Sequence, residues 1–185
     1  MLRLLAGRHR GRRLAAPEGL TTRPTAERVR QALFDMLWHA PWAGREVIEG
    51  AQVLDAFAGT GALGLEALSR GASRATFFET DRAALAALRT NIAATREEAA
   101  CRVIAGDVLR PPPPPPGAPA AATLILLDPP YGQDLVPRAL AALRQAGWIA
   151  PGALIAAELG KADTLAMEPL AERSHGAARL VFLRG

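Results

Sequence analysis

Asp128 closes the apolar run Leu124-Ile125-Leu126-Leu127 and is followed by Pro129, Pro130 and Tyr131. Four apolar residues in succession predict a strand buried on both faces that ends abruptly in a carboxylate. Neither proline has a backbone N–H, so a sheet ladder stops there and the chain is held stiff. The carbonyls of Asp128 and Pro129 are left without a local donor, and Tyr131 adds a flat aromatic face. Acceptors beside a stacking surface suit a planar group that carries an –NH2. In isolation Asp-Pro-Pro reads first as a strand ending in a proline turn; the neighbouring motifs change that balance.

Three further acids, Asp55, Glu79 and Asp107, fall at the ends of other predicted strands. In an open α/β sheet, ligands bind beyond the carboxyl ends of the strands where the strand order reverses. Asp55 is followed by the loop Ala58-Gly59-Thr60-Gly61-Ala62-Leu63-Gly64, whose glycines allow a tight turn and close approach of a ligand. Gly59-x-Gly61-x-x-Gly64, with Glu79 twenty residues beyond Gly59, also matches a dinucleotide fingerprint. Asp55 would crowd a pyrophosphate with negative charge, and the Asp128 corner has no use in hydride transfer. No Lys follows the glycines, which excludes a Walker loop. S-adenosylmethionine fits all four acids: Asp55 and the glycine loop at the methionine end, Glu79 at the ribose diol, Asp107 at the adenine amine, and the corner facing the sulfonium methyl. The expected cofactor set is Asp55, Ala58, Gly59, Thr60, Gly61, Glu79, Thr80, Asp107 and Val108; the expected catalytic set is Asp128, Pro129, Pro130 and Tyr131.

Val53–Gly64, Phe78-Glu79-Thr80-Asp81-Arg82, Gly106-Asp107 and Asp128–Tyr131, in this order, resemble the class I S-adenosylmethionine-dependent methyltransferases that act on exocyclic amines. More narrowly, the chain resembles the RsmD family, bacterial 16S rRNA guanine-N2 methyltransferases. The narrower signal is Arg23-Pro24-Thr25 through Arg28-Val29-Arg30, with Gly11-Arg12 and Leu14 before it and Gly147-Trp148-Ile149 and Glu158 after it. The resemblance covers nearly the whole chain. It implies a Rossmann-like fold, a guanine amine as target, and 16S ribosomal RNA within the small subunit as partner; a monomer that uses no metal is expected.

The elements that must position these residues follow from periodicity. Thr25 is the expected N-cap of a helix that buries Val29, Leu33, Met36 and Leu37, turns Arg28, Arg30 and Gln31 away, and ends before Pro41. From Gln52 the pattern alternates: a strand over 53–57, a helix over 62–70, a strand over 75–80, and a helix capped by Asp81 that buries Leu85, Leu88 and Ile92. A strand over 102–105 precedes six prolines, 111–116, which stand where a crossover helix belongs and predict a polyproline II loop. After the Asp128 strand come a helix marked by Val136, Leu140 and Leu143, a strand over 153–159, and an edge strand over 179–183. Repeated strand–helix units predict an α/β fold with a doubly wound, mostly parallel sheet. Residues 51–185 are the expected methyltransferase domain and 1–50 a basic arm and helix packed on it.

Residues 1–45 carry nine Arg against three acids, a balance of +6, while the remainder holds 13 basic and 15 acidic side chains, or −2. A basic arm on a near-neutral body points to a polyanion. Arg8, Arg10, Arg12, Arg13, Arg23, Arg28 and Arg30 are the expected RNA contacts, with residues 1–20 as an extended segment or hairpin. Cys101 is the sole cysteine, so no internal disulfide forms, and His9, His39 and His175 are too scattered for a metal cluster. No apolar run reaches membrane-spanning length and no export signal is present, which fits a reducing cytoplasm. Two other readings stay open. A DNA adenine or cytosine amino-methyltransferase shares the corner but usually brings a separate target-recognition domain. A non-catalytic RNA-binding relic would keep the basic arm and lose the acids.

Overall fold

The computed structural model describes residues 2–17, 24–116, 121–176 and 178–185. Its centre is a seven-stranded sheet: β1 (Gln52–Asp55), β2 (Arg74–Glu79), β3 (Cys101–Ala105), β4 (Ala122–Leu127), β5 (Ile149–Gly160), β6 (Ala171–His175) and β7 (Ala178–Arg184). The strand order is β3-β2-β1-β4-β5-β7-β6. Strands β1 to β5 pair in parallel, and β7 runs antiparallel to both β5 and β6. The order reverses between β1 and β4, where a ligand crevice is expected. Leu124, Ile125, Leu126 and Leu127 are fully buried, as a central strand with cover on both faces must be.

Helices α1 (Pro24–His39), α2 (Ala62–Ser69) and α3 (Arg82–Thr95) contribute to one core with Val53, Phe77 and Leu126; α4 (Leu135–Gln145) contributes to the other with Leu54, Phe78 and Ile125. Helix α3 starts where the side chain of Asp81 accepts the Ala84 N–H at 2.8 Å. Helix α1 begins at Pro24, one residue ahead of the expected cap, because a first-turn proline loses no intrahelical bond. Val29, Leu33 and Leu37 are buried as anticipated, with Phe34 beside them. Arg30 departs from expectation: it is buried rather than turned outward.

No helix joins β3 to β4 among the described residues. Pro111 and Pro114 are half-buried while Pro112, Pro113, Pro115 and Pro116 are exposed, the three-residue repeat of polyproline II. Trp148 covers the sheet face beside them, packing edge-on against Phe78 at 5.5 Å and donating its indole N–H to the Pro112 carbonyl at 2.7 Å. The expected edge strand, β7, is internal. Leu180, Val181, Phe182 and Leu183 are all buried, so the strand needs cover on both faces and pairs along both edges. The true edge is β6, whose Ala-Glu-Arg-Ser-His sequence has no apolar alternation to announce it.

The N-terminal segment is a hairpin. Leu4 N–H meets the Arg12 carbonyl and Leu14 N–H the Leu2 carbonyl, both at 2.9 Å. No helix among the described residues is long and apolar enough to cross a membrane.

Candidate active site

All four predicted acids lie at the carboxyl edge of the parallel strands: Asp55 ends β1, Glu79 ends β2, Asp107 follows β3 and Asp128 follows β4. Below them opens a cleft of about 500 Å3 lined by Gly59, Glu79, Thr80, Gly106, Asp107 and Val108 on one side and by Asp128 and Pro130 on the other. Phe57, Phe78, Leu109 and Leu135 supply apolar wall that sequence reasoning missed. They belong to separate segments of the chain, and only the fold brings them together.

The Glu79 carboxylate accepts the backbone N–H groups of Gly59, Thr80 and Asp81, each at 2.7 Å. One carboxylate thus ties the glycine loop to the end of β2 and retains about one of its four lone-pair sites. Asp107 accepts the Leu109 N–H at 2.9 Å and otherwise faces the cleft. Asp55 lies deeper than expected. It is 1 % exposed and absent from the cleft wall; one oxygen accepts the Gly64 N–H at 2.9 Å, and the other is buried without a partner among the described residues. Its carboxylate therefore fastens the first turn of α2 to β1, and burial pushes its carboxyl up to about 7. Ala58 and Gly61 are buried in the loop, and Thr60 gives its carbonyl to Asn91 Nδ2 at 2.9 Å. None of these three lines the cleft.

The cleft suits a cationic adenosyl cofactor on the residues themselves. Among the described residues three carboxylates line it and no Lys or Arg does, which favours a sulfonium and opposes a pyrophosphate. Gly59 has φ +52°, and a Cβ built there meets nothing within 4 Å, so a side chain would both strain the loop and enter the space a ligand needs.

At the corner, Asp128 is open to the cleft while protein surrounds it on the other sides. Its carboxyl is raised by desolvation first, then by Glu158 and Asp55; the Arg30 guanidinium opposes them. Glu158 on β5 was not among the expected site residues, although its strand was predicted. It stands beside Asp128 because the parallel register pairs Leu127 with Ala157, and the next position brings the two acids together. The Glu158 carboxyl is likewise raised, chiefly by burial. Tyr131 donates its hydroxyl hydrogen to Glu158 Oε1, and its own ionisation is pushed up by burial and that bond. A Cβ on Gly160 would come within 3.1 Å of Tyr131, so the glycine lets the ring lie close against β5. Asp163 completes the anchor, accepting from Gly132 N–H at 2.9 Å and Gly160 N–H at 2.8 Å. Pro129 is buried and Pro130 exposed.

The expected RNA contacts divide. Arg10, Arg12, Arg13 and Arg28 reach the surface. Arg8 is exposed too, but its guanidinium is held by Glu97 at 2.6 Å, an acid that also binds His9. Arg30 is 6 % exposed and gives one N–H to the Arg3 carbonyl at 2.6 Å. Its charge acts on Glu66, Glu27 and Asp128 inside the protein. Arg23 lies outside the described residues.

A sheet of this order, with acids and a glycine loop at its carboxyl edge, is the Rossmann-like fold of class I methyltransferases. The fold is shared with an RNA methyltransferase from Salinibacter ruber solved in complex with S-adenosyl-L-homocysteine, at a TM-score of 0.65 and 16% identity, over 88% of this chain and 93% of that one. Residues 2–183 match the protein family described as conserved hypothetical protein 95, and the chain belongs to that family, the RsmD family. It is 41% identical over 157 residues to ribosomal RNA small subunit methyltransferase D of Escherichia coli, spanning 85% of this chain and 74% of that protein. The namesake from Haemophilus influenzae is 34% identical over 86% of this chain and 79% of its own length. The solved structure of the Escherichia coli protein yhhF superposes with a TM-score of 0.80 at 34% identity, covering 99% of this chain and 97% of that one.

Proposed function

We propose that this chain is a cytoplasmic monomer that transfers the methyl group of S-adenosylmethionine to the N2 amine of a guanine in 16S ribosomal RNA, within the small subunit. The observation that carries the reading is a single cleft with two ends, Glu79 and Asp107 at one and Asp128 with Pro130 at the other. Donor and acceptor can meet there. The names of the relatives, ribosomal RNA small subunit methyltransferase D, support RNA as the acceptor.

When bound, S-adenosylmethionine supplies an electrophilic methyl on a cationic sulfur. In this reading Glu79 takes a ribose hydroxyl at its remaining lone-pair site and Asp107 the adenine amine, with Val108 and Leu109 as the apolar wall. The guanine amine is a poor nucleophile because its lone pair is delocalised into the ring. Accepting its two N–H groups at the Asp128 carboxylate and the Pro129 carbonyl favours a pyramidal nitrogen with its lone pair aimed at the methyl. The contribution is chiefly positional and electrostatic. Once methylated, the nitrogen would be acidic and would give up one proton. Asp128, with its raised carboxyl, is a better acceptor for that proton than an ordinary aspartate. Tyr131 stacks on a base that has left its loop or helix, a displacement that base chemistry requires and RNA loops allow.

The test is direct. Small-subunit particles are incubated with tritiated cofactor and the protein, and the ribosomal RNA is digested to nucleosides. Label is expected in N2-methylguanosine; label in N6-methyladenosine would refute the reading.

A further inference from the structure

Guanine presents three groups in order along one edge: N3, an acceptor; the N2 amine, a donor; and N1–H, a second donor. Around Asp128 the protein offers acceptors for the two donors. Asp128 follows β4 and Glu158 lies on the neighbouring parallel strand β5, each one residue beyond the paired positions Leu127 and Ala157, and Glu158 is the charge that acts most strongly on Asp128. Glu158 uses Oε1 for the Tyr131 hydroxyl, while its Oε2 takes no hydrogen bond from any described residue. Two acceptors, Asp128 and the free oxygen of Glu158, are thereby gathered at one corner.

Resting on the guanine-N2 reading above, we infer that Glu158 selects the base, its free oxygen accepting guanine N1–H while Asp128 takes the N2 amine. The same arrangement rejects adenine and cytosine. In both, the ring nitrogen beside the amine carries a lone pair, which would face a carboxylate across a dry contact with no hydrogen between them. Such an unmade bond costs more than a made bond contributes. The Tyr131 hydroxyl has a second use here, since its bond to Oε1 fixes the carboxylate so that Oε2 faces the base.

The experiment uses 2-aminopurine, which keeps the 2-amine of guanine and lacks N1–H. The methylated position is first mapped in small-subunit RNA, and ligated RNAs then carry guanosine or 2-aminopurine riboside at that position. Single-turnover rates are compared for the wild type, Glu158→Gln and Tyr131→Phe. The wild type is expected to favour guanine by about 10- to 100-fold, the range for one good base-edge contact. Glu158→Gln should bring the two rates within a few-fold of each other, by slowing guanine. Tyr131→Phe, which keeps the carboxylate but loses the bond that orients it, should narrow the guanine preference less than Glu158→Gln does. A wild-type enzyme that methylates 2-aminopurine as fast as guanine overturns the inference, even if Glu158→Gln fails to fold. So does a folded Glu158→Gln protein with an undiminished preference. Absence of N2-methylguanine from the wild-type reaction overturns the functional reading instead, and this inference falls with it.

Discussion

Glu66 sits in the middle of α2, fully buried, and holds the N-terminal hairpin to the sheet domain. Its carboxylate accepts the Leu5 N–H at 2.7 Å, the Ala6 N–H at 3.0 Å and Arg70 Nε at 2.7 Å. Arg70 is itself buried, stacked over the Phe34 ring at 4.8 Å, and its Nη2 has no other partner among the described residues. Glu66→Ala leaves that cation uncompensated, which costs about 3–5 kcal/mol. Leu5 and Ala6 are only half-buried, so water replaces most of what they lose. For a chain of this size the change lowers the melting temperature by roughly 6–20 °C. Amide exchange should rise first at Leu4–Leu14, ahead of the sheet, because the hairpin loses its anchor while β1–β5 keep theirs. Glu66→Ala with Arg70→Ala should recover part of the loss, since the orphaned charge is gone. Calorimetry and hydrogen exchange measure both effects. A Glu66→Ala protein that melts with the wild type and protects Leu5 and Ala6 unchanged would refute the reasoning.

Asp55→Asn probes the buried carboxyl that burial raises to about 7. A raised acid contributes stability below its unfolded value near 4, and that contribution is lost as pH climbs through 7. The wild type should therefore lose on the order of 4 kcal/mol between those limits, while Asp55→Asn, which can still accept from Gly64, shows a flatter melting profile. A slope unchanged by the substitution would contradict this. Glu79→Ala should weaken S-adenosylmethionine binding by roughly 1.5–3 kcal/mol in titration calorimetry, through loss of a charged acceptor. Unchanged affinity would remove Glu79 from the site. Replacing Arg10, Arg12, Arg13 and Arg28 by Ala should spare cofactor binding and make the salt dependence of RNA affinity shallower, by roughly 0.7–0.9 in slope for each phosphate left without its arginine. An unaltered slope would mean these side chains are only solvated.

The acids Asp55, Glu79, Asp107 and Asp128 are legible at strand ends because buried parallel strands read as short apolar runs closed by polar residues. The cleft that Glu79, Asp107 and Asp128 share opens at the carboxyl ends of parallel strands, which the strand–helix alternation predicted. Interactions between distant segments were not legible. Glu66 looks like one polar residue on a short helix, and its partners Leu5 and Ala6 lie some 60 residues away. Arg30 falls among charged neighbours on α1 and reads as exposed; only the packing of the hairpin over it buries the guanidinium. The pairing of Glu158 with Asp128 depends on the register of β5 against β4, which a shift of one residue would undo. Asp55 illustrates a limit of another kind: its position was right, but a strand-end acid can serve the loop beneath a ligand rather than the ligand itself.

The central claim is that Asp128 acts on the target amine, and single-turnover transfer by Asp128→Ala tests it most directly. The substrate is small-subunit RNA or particles, with cofactor affinity measured in parallel. The cofactor's expected partners lie on β1, β2 and β3, so its binding should survive. The methyl-transfer rate should fall by orders of magnitude, because the hydrogen bond that Asp128 accepts strengthens in the transition state. Transfer to guanine N2 at the wild-type rate by Asp128→Ala would contradict the account.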